Sequence, residues 1–366
     1  MKTLRAIFLA CCILTFGQLL QAASPSGYVI EWGGRDTLTG TAAPVEQVLS
    51  NVVTISVGRL HCLALKNDGT VIQWSVNAHG RATFDNILLT SGEAYSGNVL
   101  AMKNTTTVMT NGVVKINGQI LSNIVSVATG EGFSIGLKRD GTVIEWSEKS
   151  ATIGPSNVVA IAAAGFTSLA LKKDGAIAGW GSDASDEVQN PVPDITNAIA
   201  VAIGETAQGA RNIALKKDGT VVYWGEETIY KDATPPVGLS NVVAIAVGSS
   251  HTLALKSDGT VIGWGFNDVG QATGISTTNA SNISAGQVII GGQILSNVAS
   301  IAANHGYSLA LKKDGTVVGW GRMANGFYPA TVPAGLSNVV AIAAGDHFCL
   351  AITTNSAVAD KFRQNK

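Results

Sequence analysis

A closed all-β propeller of seven or eight blades, its ring completed by strands from both chain ends, is the architecture this sequence predicts. Three observations carry that expectation. A unit of about 40 residues recurs along the chain, each copy reads as three short strands with an Asp-Gly turn, and one copy is split between the termini.

The copies open at Asn51, Asn86, Asn123, Asn157, Asn197, Asn241, Asn297 and Asn338; the Asn86 copy is worn and lacks the Trp. In the first strand, V-A-I-A, β-branched residues such as Val159 and Ile161 alternate with Ala160 and Ala162, the period of a strand whose two faces meet different neighbours. The second strand is LALK. An Asp-Gly pair, as at Asp68-Gly69, Asp140-Gly141 and Asp258-Gly259, supplies the positive-φ position of a hairpin, and V-x-x-W-G forms the third strand. Such a sheet cannot bury both faces alone, so the units must stack, and alanines let them converge towards an axis. The last copy ends in Leu350–Thr353, while the V-x-x-W strand that should follow it is Val29–Trp32. A ring closed this way has no free sheet edge.

With 46% apolar residues, 13% charged residues and 42 glycines among 366, the chain is neither a disordered segment nor a coiled coil. A net charge of −1 supplies no overall basic field for nucleic acid or an anionic membrane. Lys2 and Arg5, the apolar run Ala6–Leu20 and the small residues Ala22, Ala23 and Ser24 have the three-part layout of an export signal spanning residues 1–22. Its removal leaves 22 basic against 25 acidic residues, a net of −3. The expected organisation is a signal peptide at 1–22, a propeller at 27–355 and a polar tail at 356–366, in a secreted or periplasmic monomer free of the membrane after cleavage.

The motif G-x-x-H-x-L-A-L-K-x-D-G-T-V-x-x-W-G at Gly248–Gly265, with its recurrence along the chain, resembles the repeat of the regulator-of-chromosome-condensation propellers. The founding member's role as a nuclear exchange factor for a small GTPase does not carry over to a chain with an export signal and shorter blades. The short repeats and the G-Q-x-T and T-V-P-A links (Gly270–Thr273, Thr331–Ala334) are similar to a secreted branch that includes a β-lactamase-inhibitory propeller. That resemblance implies protein binding through one face.

Candidate chemistry is sparse. His61 and His251 share a slot with Phe133, Tyr307 and Phe348 in other copies, which points to packing, and His79, His305 and His347 stand alone in turns. One Asp per turn is turn chemistry rather than a calcium loop, the fixed tryptophans suit interblade packing, and Cys62 and Cys349 are expected as two buried thiols. No cofactor or metal motif and no catalytic fingerprint occurs, so an enzyme is not expected; an extracellular polysaccharide hydrolase or lyase with a central-channel site is the alternative.

Spacing locates the working face. From repeat Asn to LALK the distance is 12 in six of eight copies, and from LALK to Trp it is 11 in all six continuous Trp-bearing copies. From Trp to the next Asn it runs from 7 to 33, so variation sits in one connection. That connection begins on the face of the first-to-second-strand turns, where Gly204–Arg211 has a four-residue excess. Glu205, Arg211, Tyr230, Phe266, Asp268, Phe327 and Tyr328 are the expected anchors for an extracellular protein or polymer; nucleic acid is not expected.

Overall fold

Each blade begins at an asparagine that breaks the chain direction. The computed structural model describes residues 26–33, 49–58, 61–76, 82–83, 107–110, 112–147, 150–181, 192–206, 209–225, 234–277, 283–322, 331–346 and 348–364. In it Asn51, Asn123, Asn157, Asn197, Asn241, Asn297 and Asn338 all adopt φ between 53 and 61°, a left-handed conformation that Asn tolerates better than other side chains do. Each asparagine carbonyl accepts an N–H from its own blade's far turn, as Lys173 N–H to Asn157 O at 2.8 Å. In that turn the Asp Oδ1 accepts the N–H two residues on, at 2.9–3.0 Å in all six copies. The turn glycine has a second duty: Gly69 O accepts Ile124 N–H of the next blade at 3.2 Å, and a Cβ on Gly69 would lie 3.2 Å from Asn123 N.

Blade 1 comprises Val52–Val57, His61–Lys66 and Val71–Val76; blade 2 Ile124–Thr129, Phe133–Lys138, Val143–Ser147 and Ala151–Ile153; blade 3 Val158–Ala164, Thr167–Lys172 and Ile177–Gly181. Blade 4 comprises Ala198–Thr206, Gly209–Lys216 and Val221–Gly225; blade 5 Val242–Val247, His251–Lys256, Val261–Phe266 and Ile283–Gln287; blade 6 Val298–Asn304, Tyr307–Lys312 and Val317–Gly321. Blade 7 is built from Val339–Ala344, Phe348–Thr353 and the N-terminal Tyr28–Gly33, antiparallel with Tyr28 opposite Thr353 and Trp32 opposite Cys349. The first strands of successive blades touch all the way round, so they line the axis. The split unit thus closes the ring as predicted.

The worn Asn86 copy does not make an eighth blade. Its described strands, Thr107–Thr110 and Val113–Ile116, join the outer edge of blade 1 through Ile72 opposite Val113, while blades 1 and 2 pack directly on each other. The ring therefore has seven blades. The export-signal residues 1–22 lie outside the described residues.

Seven apolar clusters fill the seven gaps, and six follow one rule, the gap between blades 1 and 2 having Thr54 and Ser56 in place of the forward alanines and Gly136 in place of the rear one. A blade's forward side offers first-strand Ala and second-strand Leu; the next blade's rear side offers first-strand Ile or Val, second-strand Ala and the Trp. Ala160, Ala162, Leu169 and Leu171 meet Val201, Ala214 and Trp224; Ala244, Ala246, Leu253 and Leu255 meet Ile301, Ala310 and Trp320; Ala341, Ala343 and Leu350 of blade 7 meet Ile55, Ala64 and Trp74 of blade 1. Small residues thus oppose large ones in both strand layers. Each buried Leu contributes about 1.5–3 kcal/mol relative to exposure.

Polar groups cross the same gaps. Trp146 Nε1 donates to Gln73 Oε1 at 2.9 Å and Trp180 Nε1 to Glu145 Oε2 at 2.7 Å, each acceptor being the residue just before the preceding blade's Trp. At the closure that place is held by Glu31, facing Trp74, and burial pushes its carboxyl up to about 8 despite that hydrogen bond. His61 Nε2 bonds Ser134 Oγ at 2.8 Å and His251 Nε2 bonds Ser308 Oγ at 2.7 Å, so the shared aromatic slot both packs and bridges. Burial lowers these imidazoles to about 4 and about 3. Cys62 and Cys349 are buried thiols that form no disulfide, as predicted; Cys349 packs towards blade 6, its Sγ 3.5 Å from Tyr307 Oη, and Cys62 packs towards blade 7. The polar 356–366 tail folds over Ser356–Gln364 into a helix, with Asn355 Oδ1 accepting Ala357 N–H at 3.0 Å and Val358, Ala359 and Phe362 packed near Tyr28 and Leu336.

Two outcomes follow from closure and burial. A chain starting at Arg35, without the closing strand, should lose cooperative unfolding in calorimetry, and Trp32→Ala should cost about 3–5 kcal/mol; an unchanged melting temperature would show that the ring does not depend on that strand. The neutral histidines stabilise above their ordinary value of 6.5, and that stability falls as pH drops towards 4 and 3, by roughly 3–5 kcal/mol each. Glu31 acts in the opposite sense: its contribution is complete below 4.5 and is lost as pH rises through about 8. Denaturant midpoints across pH should show a shallower acid limb in His251→Phe, whose neighbour Ser308 Oγ keeps its bond to Gln271 O, and a flatter slope between pH 4.5 and 8 in Glu31→Gln.

Candidate functional site

The first-to-second-strand turns abut one another around one face of the ring. On blade 4 the four-residue excess lengthens the β-hairpin rather than making an open loop: Gly204 pairs with Arg211, Glu205 with Ala210 and Thr206 with Gly209. Gly204 lies against Gly248 O of blade 5, and Glu205 lies against Gly165 of blade 3. The tip therefore spans both neighbouring turns.

From blade 4 to blade 7 the turns are joined by polar contacts. Arg211 Nη1 lies 3.5 Å from Ser249 O, and Ser249 Oγ is 3.2 Å from His305 Nδ1. His305 Nε2 is 2.9 Å from Asp346 Oδ1, with the imidazole 45% exposed and the carboxylate only 7%. Asn304 holds the imidazole from beneath. Its Oδ1 accepts His305 N–H at 2.6 Å and stands 3.1 Å from Nδ1, and its Nδ2 donates to Ala344 O at 3.2 Å. His305 adopts φ 35°, a strained conformation for a side chain of its size. The proton's place on the ring decides whether Nδ1 accepts Ser249 Oγ–H or donates to Asn304 Oδ1. The row presents an exposed, oriented imidazole flanked by hydroxyl and carboxylate.

The expected anchors divide. Glu205 and Phe266 are half-buried on this face and Asp268 is exposed, whereas Arg211 is fully buried. A partner cannot touch that guanidinium directly, which corrects its reading as a surface anchor: the hairpin extension folds it inward beside His251. Tyr230, Phe327 and Tyr328 lie outside the described residues. The Phe266–Gly274 segment, which opens the longest of the variable Trp-to-Asn connections, is tied into the frame. Asn267, fully buried, accepts Ala272 N–H at 2.9 Å and Thr273 N–H at 3.1 Å, and donates to Thr273 Oγ1 and Ile275 O. Gln271 O receives Ser308 Oγ at 2.9 Å and Trp320 Nε1 at 3.0 Å. This loop fills the gap where Gly263 leaves no side-chain acceptor for the next Trp.

Sequence reasoning missed Ser249, Asn304 and Asp346, and set His305 aside as isolated. Reading the turns across repeats rather than along the chain aligns Ser249, His305 and Asp346 in one slot. Among the described residues no group of three His, Cys, Asp or Glu is placed to hold a metal ion.

Asn267→Ala should lower stability by about 2–4 kcal/mol because several buried partners lose their bonds at once; a melting temperature within a degree or so of the parent would show the loop to be dispensable after all.

The family model for the regulator of chromosome condensation (RCC1) repeat matches residues 242–271. No curated protein matches the chain. Among solved structures, Prp20p from Saccharomyces cerevisiae, described together with its binding to Gsp1p and histones, superposes with a TM-score of 0.60 at 17% identity, covering 97% of this chain and 96% of that one. Yeast RCC1 (Prp20) bound to Kap60 gives 0.60 at 16% identity, covering 100% and 97%. The CRINKLY WD40 ectodomain of the Arabidopsis thaliana receptor kinase ACR4 gives 0.50 at 16%, covering 83% and 92%. At these identities the likeness is one of fold. Residues 242–271 match the RCC1 repeat, and the ring as a whole shares the fold of the RCC1-type propellers.

Proposed function

We propose that this propeller is a secreted or periplasmic interaction module that binds an extracellular protein or polymer through the face of its first-to-second-strand turns. The observation that carries the reading is the polar row Ser249, His305 and Asp346, linked across three blades with its imidazole exposed. Such a row is rigid, because each member sits in a turn clamped by neighbouring blades, and a preorganised surface loses little side-chain freedom on binding. The RCC1-like fold supports protein interaction in general, and the layout of residues 1–22 supports export. Glu205, Phe266 and Asp268, with Tyr230, Phe327 and Tyr328, extend the same proposed surface.

The test is affinity capture from the native extracellular fraction with the parent chain and with His305→Ala and Glu205→Ala variants. A partner retained by the parent and weakened roughly tenfold or more by either substitution supports this face, a loss of the size seen for interface anchors. Retention by both variants, together with loss on changing the Asp-Gly turns, would place protein binding on the other face.

A further inference from the structure

Seven large hydrophobic side chains are exposed among the described residues, and six of them, Ile120, Val125, Ile153, Val237, Val243 and Ile294, lie on the face of the Asp-Gly turns. Their neighbours fix that placement. Val125 and Val243 directly follow Ile124 and Val242, whose N–H groups donate to Gly69 O and Gly219 O; Ile294 precedes Val298, bonded to Gly259 O. Ile153 pairs with Ile144 just past the blade 2 turn, and Val237 sits in the turn leading into Asn241.

Positive charge collects on the same face. The six Asp-Gly turns with the lysines that end each LALK strand carry ten basic and six acidic side chains, on a chain whose net charge is −1. Each aspartate accepts its own turn's N–H, a bond that favours the charged form of a carboxylate, and Asp218 and Asp258 lie 3.7 Å from Lys216 and Lys256, so the turns carry a surplus of four positive charges, ten less six. Arg139, Lys173, Lys217 and Lys313 are the second cations of their turns, and all are exposed. Net charge therefore concealed a segregated field, so the expectation of no attraction to anionic surfaces applies to the average and not to this face.

Two segments combine both features. Gly118-Gln119-Ile120-Leu121-Ser122-Asn123 and Gly292-Gln293-Ile294-Leu295-Ser296-Asn297 repeat one sequence after blades 1 and 5. In each a buried Leu anchors the hairpin, through Leu121 N–H to Val114 O and Leu295 N–H to Val288 O, while the Ile before it stands 52% and 49% exposed. The following blade's turn then presents a cation pair, Lys138-Arg139 or Lys312-Lys313. Ile120, Lys138 and Arg139 line one cleft. The two segments lie on nearly opposite sides of the seven-blade ring.

We propose that the Asp-Gly face is a docking surface for an anionic lipid bilayer, with Ile120 and Ile294 entering the headgroup layer and Arg139 and Lys313 meeting its anionic groups. A lone exposed aliphatic side chain is ordinary on a protein surface; what sets Ile120 and Ile294 apart is the repeated segment that holds each one out ahead of a cation pair. Ile120 shares a cleft with Lys138 and Arg139, a pairing that suits a planar, charged interface with an apolar interior. This surface is independent of the partner-binding face proposed above.

The experiment is co-sedimentation with phosphatidylcholine vesicles with and without phosphatidylserine, using the full chain and, beside it, the chain starting at Ala23. Binding is expected only with phosphatidylserine and should fall with salt. Arg139→Gln and Lys313→Gln should each weaken it about fivefold, and Ile120→Ser and Ile294→Ser about tenfold each, with far-ultraviolet dichroism and melting temperature unchanged. His305→Ala should leave vesicle binding intact whatever its effect on a protein partner. Absence of phosphatidylserine-dependent binding, equal binding by the four variants, or tighter binding to soluble heparin or polyglutamate than to vesicles would each overturn the assignment.

Discussion

The structure depends on one constraint, the fit between the forward side of each blade and the rear side of the next. Forward Ala in the first strand meets rear Ile or Val, and forward Leu in the second strand meets rear Ala. Because blades carry both halves of the match, with Thr54, Ser56 and Gly136 as the small residues between blades 1 and 2, the interface can be used seven times, and it closes only if the last blade also presents a complete rear side to its predecessor. Ile30 and Trp32 supply the outer part of that side. Without the N-terminal strand the rear side of blade 7 would lack its Trp, and the gap to blade 6 would lose Trp32 from its core.

Polar atoms follow from the same geometry. A Trp on every rear side brings an indole N–H into an apolar gap, and a buried donor must be satisfied. The preceding blade answers with Gln73, Glu145 or Glu31 where a side chain is available, and with a backbone carbonyl, Gln271 O, where Gly263 stands instead. The loop after blade 5 is therefore tied into the frame by the absence of a side chain elsewhere. Glu31, His61 and His251 are held in uncharged forms by burial, and through them the stability of the ring becomes sensitive to pH in two opposite senses.

The two faces of the ring inherit different freedoms. The Asp-Gly turns are locked on both sides, to their own blade's Asn carbonyl and to the next blade's first N–H, which keeps them uniform and arrays their charges regularly. The opposite turns are closed by their own hydrogen bonds, as Gly248 N–H to His251 O and Gly345 N–H to Phe348 O, and otherwise meet through contact with one another. That is why blade 4 can extend its hairpin there and why unrelated residue types, Ser249, His305 and Asp346, meet in a single row.

The sequence by itself determined the all-β ring, its closure from both ends, the buried thiols and the packing role of His61 and His251, because period-2 strands and recurring turns are local signals repeated many times. Seven rather than eight blades was a tertiary decision: the worn copy retains strand-forming residues at Val113–Ile116, but these pair with an existing edge. The inward course of Arg211, the structural use of the Phe266–Gly274 connection and the meeting of His305 with Asp346 were equally beyond the linear text. Each involves residues roughly one repeat apart or a backbone path between blades, and only the ring brings such positions together. The charge of the Asp-Gly face belongs to the same class, since a net value sums over all surfaces, whereas folding assigns each side chain to one of them.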